Sequence, residues 1–165
     1  MYILKLNPVF KDYIWGGTKL RDEYGFESDL EKLAEGWMLS CHKDGENTIA
    51  NGEFAGRSLT EIIKNNPDFL GENGKKFEYF PILIKLIDAK NDLSVQVHPD
   101  NEYAMRVEKE YGKTECWYIL DCDEGAELIY GFNREITSEE FKEKIADNTF
   151  LETVNKVKVK KGDLF

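Results

Sequence analysis

The chain has 165 residues, 41% of them hydrophobic and 13% aromatic, with a formal charge of −10 at neutral pH. That length suits one domain spanning 1–165, burying roughly 70% of its unfolded surface, and the composition excludes an intrinsically disordered protein. The acidic balance argues against nucleic acid as a partner, and no apolar run approaches the ~20 residues of a membrane-spanning helix.

In chain order, Tyr2–Leu6 reads as a short strand halted by Asn7-Pro8. A turn at Trp15-Gly16-Gly17 precedes a helical turn over residues 19–24, and Trp37–Cys41 reads as a strand followed by the polar turn 43–47. Ser58-Leu59-Thr60-Glu61 has capping-box spacing, with Leu59, Ile62 and Ile63 as one apolar helix face before Asn66-Pro67 stops it. Further strands are expected at 81–88, 93–98, 114–120 and 126–132. Asp100 is placed to cap a short helix with Tyr103 and Val107 facing inward, and Thr137-Ser138-Glu139-Glu140 repeats the capping box ahead of Phe141 and Ile145. Lysines alternate with valines through 156–161, as on the solvated face of a strand, and Leu164-Phe165 opens one more apolar segment whose edge is expected to lie unpaired. Short strands punctuated by Gly and Pro, with a few helices between, suggest a mainly β architecture: an antiparallel barrel or jelly roll with short helical insertions.

The most informative stretch is Gln96-Val97-His98-Pro99, with Glu115 seventeen residues beyond His98. On a strand, residues two apart share a face, so Gln96 and His98 would present an amide oxygen and an imidazole nitrogen side by side. Lys113 and Glu115 would share a face of the second strand in the same way. Two oxygen donors and one nitrogen donor suit Zn²⁺ or a neighbouring first-row metal such as Mn²⁺, Fe²⁺, Co²⁺ or Ni²⁺. On spacing alone, a histidine at a strand end is more often a hydrogen-bonded rim residue, and Gln-x-His is a weak motif.

The wider string changes that balance. Pro81 to Ala89, Leu93 to Asp100 and Gly112 to Tyr118, with Trp15-Gly16-Gly17 and Glu35 to Ser40 near the start, resemble the type I mannose-6-phosphate isomerases in their short bacterial form. The resemblance runs from Leu6 to Phe165. It implies a cupin-type jelly roll, one Zn²⁺ held by Gln96, His98 and Glu115, and interconversion of mannose 6-phosphate with fructose 6-phosphate. It also implies a chain about twice this length, with a second metal-binding histidine and a pocket arginine beyond the Gly-Asp turn. This sequence holds only His42 and His98, so the fold is expected to be incomplete and the activity of this chain alone is open. A truncated module that binds metal or sugar without turnover is the alternative. Gly36 departs from the small hydroxyl residue usual at that place in the family.

Moving a proton between C1 and C2 of a sugar needs a base and a positive group for the developing oxyanion. The resemblance places Lys113 in the substrate pocket; a nearby divalent ion would lower its pKa. Lys85 is the second candidate, because it interrupts an apolar strand and a buried lysine needs a partner or a function. Its structural partner would be a carboxylate such as Asp88. Gly112-Lys113-Thr114 lacks the upstream glycine of a phosphate loop, and adjacent Cys41 and His42 would face opposite ways on a strand. A sugar phosphate must overcome the chain's net negative charge through local lysines. The absence of a signal peptide at Met1 and three cysteines without metal-ligand spacing point to a reducing cytoplasm.

Overall fold

Short β-branched and apolar runs, broken by Gly, Pro and Asn, give strands of two to six residues, all paired antiparallel. This is the arrangement in a computed structural model that describes residues 2–77 and 79–165. The residues group into two units, the first running to Ser94 and the second from Val95 to Phe165.

The first unit contains β1 (Leu6–Asn7), β2 (Val9–Lys11), α1 (Lys19–Asp22), β3 (Glu35–Leu39), β4 (Thr48–Ile49), α2 (Leu59–Asn65), α3 (Gly71–Gly74) and β5 (Ile84–Ile87). β3 lies between β2 and β5 in one sheet, while β1 pairs with β4 in another. Leu20, Leu33, Ala34, Trp37, Ile49, Leu59 and Ile62 form the buried core. The turn read at Trp15-Gly16-Gly17 is a point of close approach. Gly16 bridges to Ala89, and a Cβ there would overlap Ala34, with its Cα at 2.7 Å. α2 begins as its sequence predicts, the Ser58 hydroxyl accepting from Glu61 N–H at 3.1 Å. The box is not reciprocal. Glu61 turns to Arg57, and Glu46 arrives from the β3–β4 turn to accept from the Ser58 hydroxyl at 2.5 Å and Thr60 N–H at 3.0 Å.

The second unit contains α4 (Asn101–Val107), β6 (Glu127–Phe132), α5 (Ser138–Ala146) and β7 (Val154–Lys158). β6 and β7 form an irregular antiparallel ribbon. Phe132 of β6, Phe141 of α5 and Phe150 meet edge to face, with centroids 5.5 to 6.3 Å apart. Thr137 caps α5 by accepting from Glu140 N–H, and Asn148 closes it at φ 59°, a left-handed position that asparagine tolerates.

Several expectations are corrected. Residues 93–98 carry no strand, and 114–120 carry only the bridge from Tyr118 to Leu164. A strand needs a neighbour to complete its ladder, and hydrophobic alternation alone does not supply one. Phe165 is not an unpaired edge: Trp117 and Phe165 exchange both backbone hydrogen bonds at 2.9 Å. The first strand shrinks to Leu6–Asn7 and the third to Ile84–Ile87. In α4 it is Ala104 that is buried, whereas Tyr103 and Val107 are exposed. Among the described residues, no helix is long and apolar enough to cross a membrane.

Candidate metal and substrate site

Three of the expected site residues meet in the second unit. His98 ends the segment before Pro99, and α4 follows, with Asp100 accepting from Tyr103 N–H at 2.8 Å as its cap. The chain returns at Gly112 and Lys113, whose N–H groups donate to Asn101 Oδ1 at 2.9 Å and to Pro99 O at 3.2 Å. Glu115 then lies beside His98.

The Glu115 carboxylate is shared. Its Oε1 stands 3.4 Å from His98 Nε2, and its Oε2 stands 3.2 Å from Lys113 Nζ. Partial burial pushes the carboxyl pKa up, but it is outweighed by the hydrogen bond and charge of Lys113, the Trp117 indole and the proximity of His98. The net direction is below the usual carboxylate value. Glu115 is held as an anion. The expected pairing of Lys113 with Glu115 on one side of the chain is therefore present, although a ladder is not what produces it.

Donors bonded to a tetrahedral zinc at about 2.0–2.2 Å stand roughly 3.3–3.6 Å from each other. His98 Nε2 and Glu115 Oε1, one imidazole nitrogen and one carboxylate oxygen, have that separation. These two residues fit a small divalent ion. Gln96 is exposed and two residues before His98, and because 93–98 forms no strand, no pleat fixes it on the same face. Among the described residues there is no group of three or more His, Cys, Asp or Glu able to hold a metal, so an ion at His98 and Glu115 would depend on an amide or on water for further ligands.

Lys85 belongs to the first unit, on β5, and its partner is not Asp88. Lys85 Nζ lies 3.0 Å from Glu35 Oε2 and 4.8 Å from the Trp37 ring centre. The Trp37 indole N–H donates to the same Glu35 oxygen at 2.7 Å. Asp88 is taken by the Lys19 N–H at 2.7 Å. Glu35 was not among the residues singled out from sequence, yet the signal was available: Glu35 and Trp37 are two apart on a strand and share a face. Lys85 lies opposite Trp37 in the ladder, within reach of both.

Cys41 lacks the lowered thiol pKa of an activated nucleophile. Burial pushes the Cys41 thiol up, assisted by the charge of Glu46 and opposed by a hydrogen bond with Thr60. His42 is partly buried against the edge of Trp37 at 5.8 Å, with Nδ1 3.6 Å from Asp44.

Comparison with known proteins gives a consistent result. Residues 3–129 match the sequence profile of the phosphomannose isomerase type I catalytic domain. GmuF of Bacillus subtilis, a probable mannose-6-phosphate isomerase, is 46% identical over 164 residues, covering 98% of this chain and 51% of its own. Mannose-6-phosphate isomerase ManA of the same organism is 43% identical, covering 98% of this chain and 50% of its own. The crystal structure of a mannose 6-phosphate isomerase from Bacillus subtilis superposes with a TM-score of 0.91 at 42% identity, over 98% of this chain and 51% of that one. The chain thus spans about half the length of these relatives.

Proposed function

The chain belongs to the type I phosphomannose isomerases, and from that premise we propose that it takes part in interconverting mannose 6-phosphate and fructose 6-phosphate at a metal-dependent site. The observation that carries the reading is Glu115, whose two carboxylate oxygens face His98 on one side and Lys113 on the other. Zn²⁺ is the metal proposed, with His98, Glu115 and Gln96 as the residues to hold it. When bound there, a divalent ion would polarise the sugar's oxygens and favour the neutral form of a lysine beside it.

The protein's own groups divide the remaining work. Glu115 pairs with Lys113 and fixes the position of its amine. In the proposed reaction the Lys113 amine takes the C2 proton of the aldose and returns it to C1, while a proton passes from O2 to O1. Lys85, the second lysine candidate, is held in the first unit by Glu35 and lies over the Trp37 ring. Neither nucleic acid nor a membrane is a proposed partner.

A second reading is that this chain binds metal or sugar without turnover. The test is isomerisation of mannose 6-phosphate by the 165-residue chain, with and without chelator, beside Glu115→Gln. Chelator-sensitive turnover lost in Glu115→Gln supports the enzymatic reading. Metal uptake without turnover supports the second, and full metal retention by Glu115→Gln refutes the site.

A further inference from the structure

His98 and Glu115 are separated by residues 99–114, and something must hold the ends of that loop together for the two side chains to stand 3.4 Å apart. The same three residues do this from one side. Pro99 offers its carbonyl to Lys113 N–H, Asn101 offers its side-chain oxygen to Gly112 N–H, and Asp100 caps α4 between them. Gly112 completes the closure by having no side chain. A Cβ there would overlap Asp100 C and would lie 2.6 Å from Asn101 N and 2.7 Å from Pro99 O. Those neighbours are backbone atoms, which cannot swing aside as a side chain can. The clasp lies one residue after His98 and two before Glu115.

We infer that Asn101 and Gly112 are positioning residues for the His98–Glu115 pair, holding the two donors at an ion's spacing before any ion arrives. The inference rests on the metal reading above. A site assembled in advance spends less of its binding energy on ordering the loop, so the clasp should appear in metal affinity more than in the stability of the fold.

The experiment compares zinc affinity, by competition with a chromophoric chelator, for the unmodified chain, Asn101→Ala, Asn101→Asp and Gly112→Ala. The absorption of Co²⁺ bound to each reports coordination geometry. Asn101→Ala is expected to weaken zinc about 10-fold and to change the cobalt spectrum, with its metal-free denaturation midpoint little altered. Asn101→Asp keeps an oxygen acceptor at the same place and should recover most of the affinity. Gly112→Ala should lose at least as much as Asn101→Ala; should it fail to fold, the Asn101 pair decides. The inference is overturned if Asn101→Ala binds zinc and cobalt as the unmodified chain does, or if Asn101→Asp is no better than Asn101→Ala. An unmodified chain that takes up neither ion would instead sink the metal reading itself, and the role given to Asn101 with it.

Discussion

Glu35 and Lys85 form an ion pair of 3.0 Å between strands β3 and β5, and the same carboxylate oxygen accepts the Trp37 indole hydrogen bond. Glu35 is 8% exposed and the Lys85 side chain 21%, so the carboxylate end of the pair is shielded from solvent and the amine only partly. Removing Lys85 leaves a buried carboxylate without its partner, and removing Glu35 leaves a half-buried ammonium without one; either costs more than the net worth of the pair. Glu35→Gln should therefore lower stability by about 2 kcal/mol. Replacing both residues, Glu35→Gln with Lys85→Met, should cost less than the sum of the single changes. Urea denaturation of the four proteins checks this; additive effects would show that the two side chains are not coupled.

A second network supplies a pH dependence. Burial pushes the Glu46 carboxyl up, but hydrogen bonds from Ser58 and Thr60 outweigh it and set its pKa below the ordinary value of 4.5. A carboxyl depressed in the folded state stabilises the fold above its unfolded pKa, and that stabilisation is lost as pH falls through the folded value. Stability should thus decline from about pH 4.5 downward partly because of Glu46. Glu46→Gln should flatten that decline while costing stability at pH 7. An unchanged acid limb in Glu46→Gln would remove Glu46 from the account.

What could be read in the sequence follows from how local each signal is. Ser58, Asp100 and Thr137 were legible as helix caps because a cap is a contact within three residues, and all three accept the expected N–H. Strands at 93–98 and 114–120 were not, because alternation says which residues fit a sheet and nothing about whether a neighbouring chain is there to pair. Tyr103 and Val107 were assigned to the buried side of α4, but a helix of seven residues has only one small residue, Ala104, against the rest of the unit. The sequence offers Lys85 a local partner three residues along the chain at Asp88, whereas its carboxylate comes from Glu35 across the ladder. His98, Lys113 and Glu115 stand out in the sequence and lie together in the fold, but the Asn101–Gly112 clasp between them rests on a side-chain-to-backbone bond and a missing Cβ, neither of which has a periodic signature.

Gly16 illustrates the same point in a way that can be measured. Its missing Cβ admits Ala34, which is fully buried and whose backbone donates to Lys11 and accepts from Asp88. Gly16→Ala would press a methyl group against the Ala34 Cα at 2.7 Å and its N at 3.0 Å. Because Ala34 is tied on both sides by backbone bonds, it cannot retreat without breaking one. The expected loss is about 2 kcal/mol, within the usual cost of overpacking a core. The thermal midpoint of Gly16→Ala against the unmodified chain tests this; an equal midpoint would mean that the turn at Trp15-Gly16-Gly17 can shift freely.

The role proposed for Lys113 should show wherever turnover is measured. Lys113 is proposed to carry the proton, so Lys113→Met should lower kcat by about 10²–10⁴-fold, with KM changed only a few-fold. Lys113→Arg keeps the charge but cannot act as a base, and should stay as slow as Lys113→Met. Rescue of kcat by Lys113→Arg would show that Lys113 acts through its charge, and would move the proton-transfer role to another group.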